Sequence, residues 1–256
     1  MLNEQQLLDN WNTFLDFIKS EIKGERGTKL LQFYEKYEER FILLPASHKP
    51  QYHNCFPGGY VEHVNRVVNA SLDIFEVWTK YGVKPVFTRE EVVFSALNHD
   101  LGKFGTLEYE AVLPNPSEWH VKNRGEIYTF NTQMDYMTVP DRGLWLLSQI
   151  GVEVSKNEYL AIKLHDGLYD DSNKSYLMSW SPETKLRTSL PFIIHQADLL
   201  AARIEFEREW LDKLNGTPVT APKPATTQTY NKKPQINVDA LPQSGLKDIV
   251  SNFFND

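Results

Sequence analysis

Cysteine is nearly missing from this sequence: Cys55 is the only one in 256 residues. A single thiol forms no internal disulfide and supplies no cysteine-based zinc cage, so the fold must be held by packing, as in a reducing compartment. Long apolar runs are missing as well. Nothing approaches the roughly 20 residues that span a bilayer, and the opening MLNEQQLLDNWN is polar and acidic where a secretory signal would be basic and then apolar. A cytoplasmic protein with no membrane segment is the expectation. Positive charge is also in short supply, since 27 Lys and Arg face 34 Asp and Glu for a net charge of −7. Such a surface repels phosphate backbones, which argues against tight sequence-independent binding to nucleic acid and leaves room only for a local basic groove. What the chain does have is 41% hydrophobic and 12% aromatic residues, enough for one sizeable core.

The apolar residues recur mainly at helical spacing. Leu7, Leu8, Trp11, Leu15, Ile18 and Ile22, then Leu30, Leu31, Phe33, Tyr34 and Tyr37, predict two helices parted at Gly24 to Gly27. The proline-containing LLPASHKPQYHNCFPGG reads as a loop. A long amphipathic helix follows from near Tyr60 to Gly82. Thr88-Arg89-Glu90-Glu91 is a capping box opening a helix that runs to Gly102, read as its C-cap. Leu107 to Val112 and Glu126 to Asn131 alternate in β fashion and predict an inserted hairpin. Helices are expected through Trp145, after a second capping box at Ser155 to Glu158, and from Pro191 to about Leu214, with short strands around Tyr176 to Lys185. The fold class is therefore all-α with a small β-hairpin insertion. The expected divisions are an N-terminal helical extension over 1–41, a main domain over 42–214, a flexible Pro/Thr-rich linker over 215–245 and a short amphipathic peptide over 246–256.

Chemistry gathers at helix ends. His99 and Asp100 sit together at the end of a capped apolar helix, where the partial negative charge of the helix C-terminus favours a cation. His63 lies on the preceding amphipathic helix. Asp198 stands between Ala197 and Leu199, where a buried carboxylate is costly unless a cation or hydrogen bonds compensate it. Taken singly, His63 and Asp198 are as well explained as ordinary helix positions.

Taken in order, the strings GGYVEHVNRV, ALNHDLGK and HQADLLAARIE closely resemble the HD-domain superfamily of metal-dependent phosphohydrolases over about residues 42 to 213. The resemblance implies an HD-type helical bundle in which His63, His99, Asp100 and Asp198 hold a divalent metal such as Mn, Fe, Mg, Co or Zn. The lead-in LPASHKPQYHNCFPGGYVEHV is similar to HD domains of bacterial 3′→5′ exoribonucleases and conjugative relaxases, and His53 matches a histidine there. Some HD families hold a second metal with further histidines. His165, in His165-Asp166-Gly167, is the best extra ligand here, with Asp166 as a substitute; the other expected histidine is missing and Asp141 stands nearest its place. One metal or two stays open.

The implied activity is hydrolysis of a phosphoester in a nucleotide or nucleotide-like substrate by metal-activated water. Asp100 would serve the metal and its water, while Lys103 and Arg66 would offset developing phosphoryl charge. Two rivals stand beside it: a metal-dependent 3′→5′ nuclease on short oligonucleotides, and a metal-bound binding or regulatory module without turnover. For Lys103 the plain alternative is a solvated helix cap, for Arg66 a surface salt bridge, and for His195, one turn before Asp198, a packed core histidine. Trp119, Lys122 and Arg124 on the expected hairpin mix an aromatic with cations, as base-stacking sites do; His48 and His120 have no assigned role. In the C-terminal peptide Val250, Phe253 and Phe254 resemble the spacing of a sliding-clamp-binding motif, with Lys247 in place of its Gln, so a replication partner is one expectation and folding back onto the domain the other.

Overall fold

Side chains mark several helix starts in this chain. In the computed structural model, which describes residues 2–208, Asn3, Thr88 and Ser155 each accept from the backbone N–H three residues on, while Gln6, Glu91 and Glu158 reach back to the cap. Each reciprocal box satisfies donors that a helix N-terminus leaves unpaired. In chain order the helices are α1 (Glu4–Glu21), α2 (Gly24–Lys36), α3 (Glu38–Leu43), α4 (Gly59–Lys80), α5 (Arg89–Asn98), α6 (Glu118–Arg124), α7 (Val139–Gln149), α8 (Lys156–Lys163), α9 (Lys174–Leu177) and α10 (Leu190–Phe206). Strands β1 (Val112–Pro114) and β2 (Tyr128–Phe130) pair antiparallel, with Val112 opposite Phe130. The described chain is all-α with a small β-hairpin. No helix among the described residues is long and apolar enough to cross a membrane.

Helix α1 buries Leu7, Leu8, Trp11, Phe14, Leu15 and Ile18, the one-sided stripe its spacing predicts. That stripe meets aromatics from α2 and α3. Phe14 sets its ring edge-on to Tyr34 at 4.7 Å, and Phe41 stacks on Phe104 at 4.5 Å. Helix α4 lies among α1, α3, α5 and α10, so its Val64, Val67 and Val68 are fully covered. Residues before and after position 41 thus share one core.

Four local expectations are corrected. The chain restarts as α3 after Tyr37, so the second predicted helix is two. The hairpin strands are joined through α6, capped by the Ser117 hydroxyl, which places Trp119, Lys122 and Arg124 on a helix instead of a turn. Residues Tyr176 to Lys185 form the end of α9 and turns, not strands. Gly102 is no C-cap: α5 ends at Asn98, a 3-10 turn spans Leu101–Phe104, and a Cβ at Gly102 would strike the Val139 carbonyl of α7. The glycine is needed for that close backbone crossing. The predicted linker, the C-terminal peptide with its clamp-like motif, and the stretch to Leu214 lie outside the described residues.

Candidate metal centre

The centre is assembled where α4, the ends of α5 and α8, and α10 meet. His99 and His165 each follow a helix and use the same local device: the Nδ1–H donates to a carbonyl three residues back, Ala96 at 2.7 Å and Ile162 at 2.8 Å. Each bond satisfies an orphan carbonyl of the helix end and fixes the tautomer, leaving the Nε2 lone pair free. His63, on the buried face of α4, donates through Nδ1–H to Glu205 of α10 at 3.1 Å, which frees its Nε2 likewise.

These nitrogens and the predicted carboxylates converge. His63 Nε2 lies 3.4 Å from His99 Nε2, 3.2 Å from Asp198 Oδ1 and 3.6 Å from Asp100 Oδ2. His99 Nε2 is 3.5 Å from Asp100 Oδ2 and 3.8 Å from Asp198 Oδ1. His165 Nε2 approaches the other Asp100 oxygen at 3.5 Å and Asp166 Oδ1 at 3.7 Å. Two imidazole lone pairs facing each other at this distance repel unless a proton or a cation lies between them. The charges register that need. Burial alone would push His63 and His165 down, yet carboxylates around them (Glu205 and Asp198 for the first, Asp100 and Asp166 for the second) hold them up at about 10 and about 9. Burial pushes Asp100 and Asp198 up, and the groups around them, Lys103 and the His99 side chain for Asp100, the His63 and His99 side chains for Asp198, override it and lower both.

This donor set suits a divalent cation. Groups of His63, His99 and Asp198, of His99, Asp100 and His165, and of His165, Asp166 and Asp198 each present ligand atoms within 4.8 Å of one another. Asp100 belongs with the His63 and His99 nitrogens through one oxygen and faces His165 with the other.

The remaining predicted residues divide. Lys103 points its Nζ at Asp100 Oδ2, 2.5 Å away, and so faces the centre. Arg66 is turned to carboxylates: its guanidinium is bound to Glu62 and to the fully buried Glu205, so that it holds Glu205, and through it His63, in position. Asp141 is also outside the cluster, hydrogen-bonded by Thr138 at 2.7 Å at the start of α7 and paired with Lys163 at 2.6 Å. His195 donates its Nδ1–H to the His165 carbonyl at 2.7 Å and packs over Gly167, where any Cβ would collide with the ring. It positions His165 rather than joining it.

Sequence reasoning missed Glu205. It stands two helical turns after Asp198 on α10, hence on the same face, and that i, i+7 spacing in HQADLLAARIE was the available signal. His53 packs against His63 with the rings tilted and their centroids 4.6 Å apart, and its buried Nε2 has no hydrogen-bond partner. Burial and the charges of His63 and Lys103 hold that imidazole down to about 2, neutral at any ordinary pH. No family model matches the chain, and no curated protein or solved structure shows significant similarity to it.

Proposed function

We propose that this chain is a metal-dependent phosphohydrolase acting on a nucleotide or nucleotide-like phosphoester. The observation that supports it is the convergence of His63, His99, Asp100 and Asp198 from separate elements, with the Nδ1–H groups of the two histidines spent elsewhere and Lys103 at the edge. The likeness of the motif strings to HD-domain phosphohydrolases points the same way. A divalent ion held by these four residues, with His165 and Asp166 beside them, would acidify bound water and polarise a phosphoryl oxygen.

The chain's own residues supply the rest. Asp100 has an oxygen on each side of the cluster and can orient the attacking water by accepting a hydrogen bond from it. Lys103, held charged by Asp100, can swing its Nζ onto a phosphoryl oxygen and stabilise the charge that grows there. Glu205, fixed by Arg66, keeps His63 in the tautomer whose Nε2 faces inward. Covered helices on several sides keep bulk water from weakening these interactions.

The test is a hydrolysis screen of the full chain loaded with Mn, Mg, Fe, Co or Zn against mononucleotides and short oligonucleotides. Release of phosphate or nucleoside from mononucleotides is expected. Cleavage confined to oligonucleotides would make the protein a nuclease, and absence of turnover with every metal would make it a binding module.

A further inference from the structure

Beside Lys103 lies a cavity of about 250 Å³ that the chemistry above does not use. It is smaller than the roughly 300–1,000 Å³ of sites for drug-sized ligands, so it suits a single ring system. Its walls are largely apolar, with Val112, Val139 and Phe130 among them, and His48 closes one side with its ring 4.0 Å from that of Phe130. Lys103 is shared between this cavity and the metal centre. Anything seated here is therefore next to whatever the centre acts on.

Arg142 lines the same cavity and is out of balance. Its side chain is buried, Nη1 donates to the Gly102 carbonyl and Nη2 to the Met137 carbonyl, both at 3.0 Å, and its Nε–H has no partner. It makes no ion pair with a carboxylate among the described residues, whereas the other buried arginine-bearing junctions here do. The unmet Nε–H is shared with Arg26 and Arg40 and selects nothing, but a guanidinium on the cavity wall that no carboxylate balances favours an electron-rich ligand edge there. A planar heterocycle with a carbonyl or ring-nitrogen edge supplies one, and its faces suit the apolar and aromatic walls.

We infer that this cavity receives the base of a nucleotide substrate, ring against Phe130 and His48, acceptor edge toward Arg142, while Lys103 marks the step to the phosphoryl group. The inference rests on the phosphohydrolase reading for the phosphoryl end and adds what selects the substrate. Phe130, His48 and Arg142 are then specificity-determining, and a phosphoester without a base is a poor ligand.

The test measures binding by calorimetry on the full chain in chelator, with the four common nucleoside 5′-monophosphates and ribose 5-phosphate as probes, so that turnover plays no part. At least one nucleotide is expected to bind about tenfold or more tightly than ribose 5-phosphate, the range that base stacking supplies. Phe130 is 61% exposed, so Phe130→Ala should fold normally and erase that preference without changing the affinity for ribose 5-phosphate. Ser47→Trp, at another lining position, adds bulk to the cavity instead of removing a wall and should do the same. Equal affinity for ribose 5-phosphate and every nucleotide, or a wild-type preference retained in both folded variants, would overturn the pocket. A base preference with no turnover under any metal sinks the hydrolase reading and keeps the pocket; turnover of ribose 5-phosphate with the kcat/KM of the nucleotides does the reverse.

Discussion

Among the described residues two junctions bury carboxylates, and they balance them in opposite ways. Between α2 and α8, Glu158 is fully buried, and Arg26 meets it with both nitrogens, at 2.7 and 3.0 Å, while the Ser155 N–H adds a third bond at 2.7 Å. Each Glu158 oxygen is answered, and the guanidinium itself rests on the Phe94 ring at 4.2 Å. Where α4, α5 and α10 meet, Asp100 and Asp198 face imidazoles whose nitrogens also face one another. The first junction is closed and serves the fold. The second is open where the imidazole nitrogens face one another, in a way that a divalent cation could close, and that contrast separates a structural ion pair from a candidate metal site better than burial does.

Breaking the closed junction should cost the most stability. Arg26→Ala leaves Glu158 buried and unpaired, with an expected loss of about 3–5 kcal/mol in denaturant unfolding and unchanged metal content per folded molecule. A loss below about 0.5 kcal/mol, the level of an ordinary surface substitution, would show that the junction is not closed in the sense argued. The open junction should answer in reverse. Asp100→Ala is expected to stay folded by circular dichroism and to lower hydrolysis by at least about 10³-fold; a variant that unfolds instead would make the cluster structural.

Lys103→Ala sharpens the contrast within the centre. It should lower turnover by about 10²-fold while metal content stays intact, and wild-type kinetics would return Lys103 to the role of a helix cap. The smallest effect belongs to Asp141. Burial pushes its carboxyl up, but hydrogen bonds from Lys163 and Thr138 prevail and hold it below the ordinary value. A lowered folded-state value means that its contribution is present above the unfolded value and lost as pH falls through the folded one. Asp141→Asn should therefore cost about 0.5 kcal/mol at pH 7, and the gap should shrink below about pH 3.9. A gap that grows in acid would contradict the assignment.

The features legible in the sequence were those written into short spacing. Apolar stripes and the boxes at Thr88 and Ser155 place helices because a turn of helix is a local matter. The candidate ligands His63, His99-Asp100 and Asp198 were marked through the likeness of their surrounding strings to HD domains, since His63 and Asp198 taken singly read as ordinary helix positions. What stayed hidden depends on distant partners. Arg66 could face the cleft or a surface ion pair until the buried Glu205 arrived from α10, Gly102 looked like a cap until α7 crossed it, and the segment near Tyr176 looked extended because its polarity suits turns and strands alike. Arg142 is the clearest case: nothing near it in sequence says that its guanidinium would be buried without a carboxylate.

The most direct test of the open junction is elemental analysis of the full chain beside Asp198→Ala after identical loading with Mn, Fe, Co or Zn and removal of free metal. Asp198 supplies an oxygen 3.2 Å from the His63 nitrogen at the heart of the cluster, so its loss should empty the site without unfolding the protein. At least one divalent ion per wild-type chain, and close to none in the folded variant, is the predicted result; wild-type protein that retains no metal under any loading, or a variant that retains as much as wild type, would contradict it.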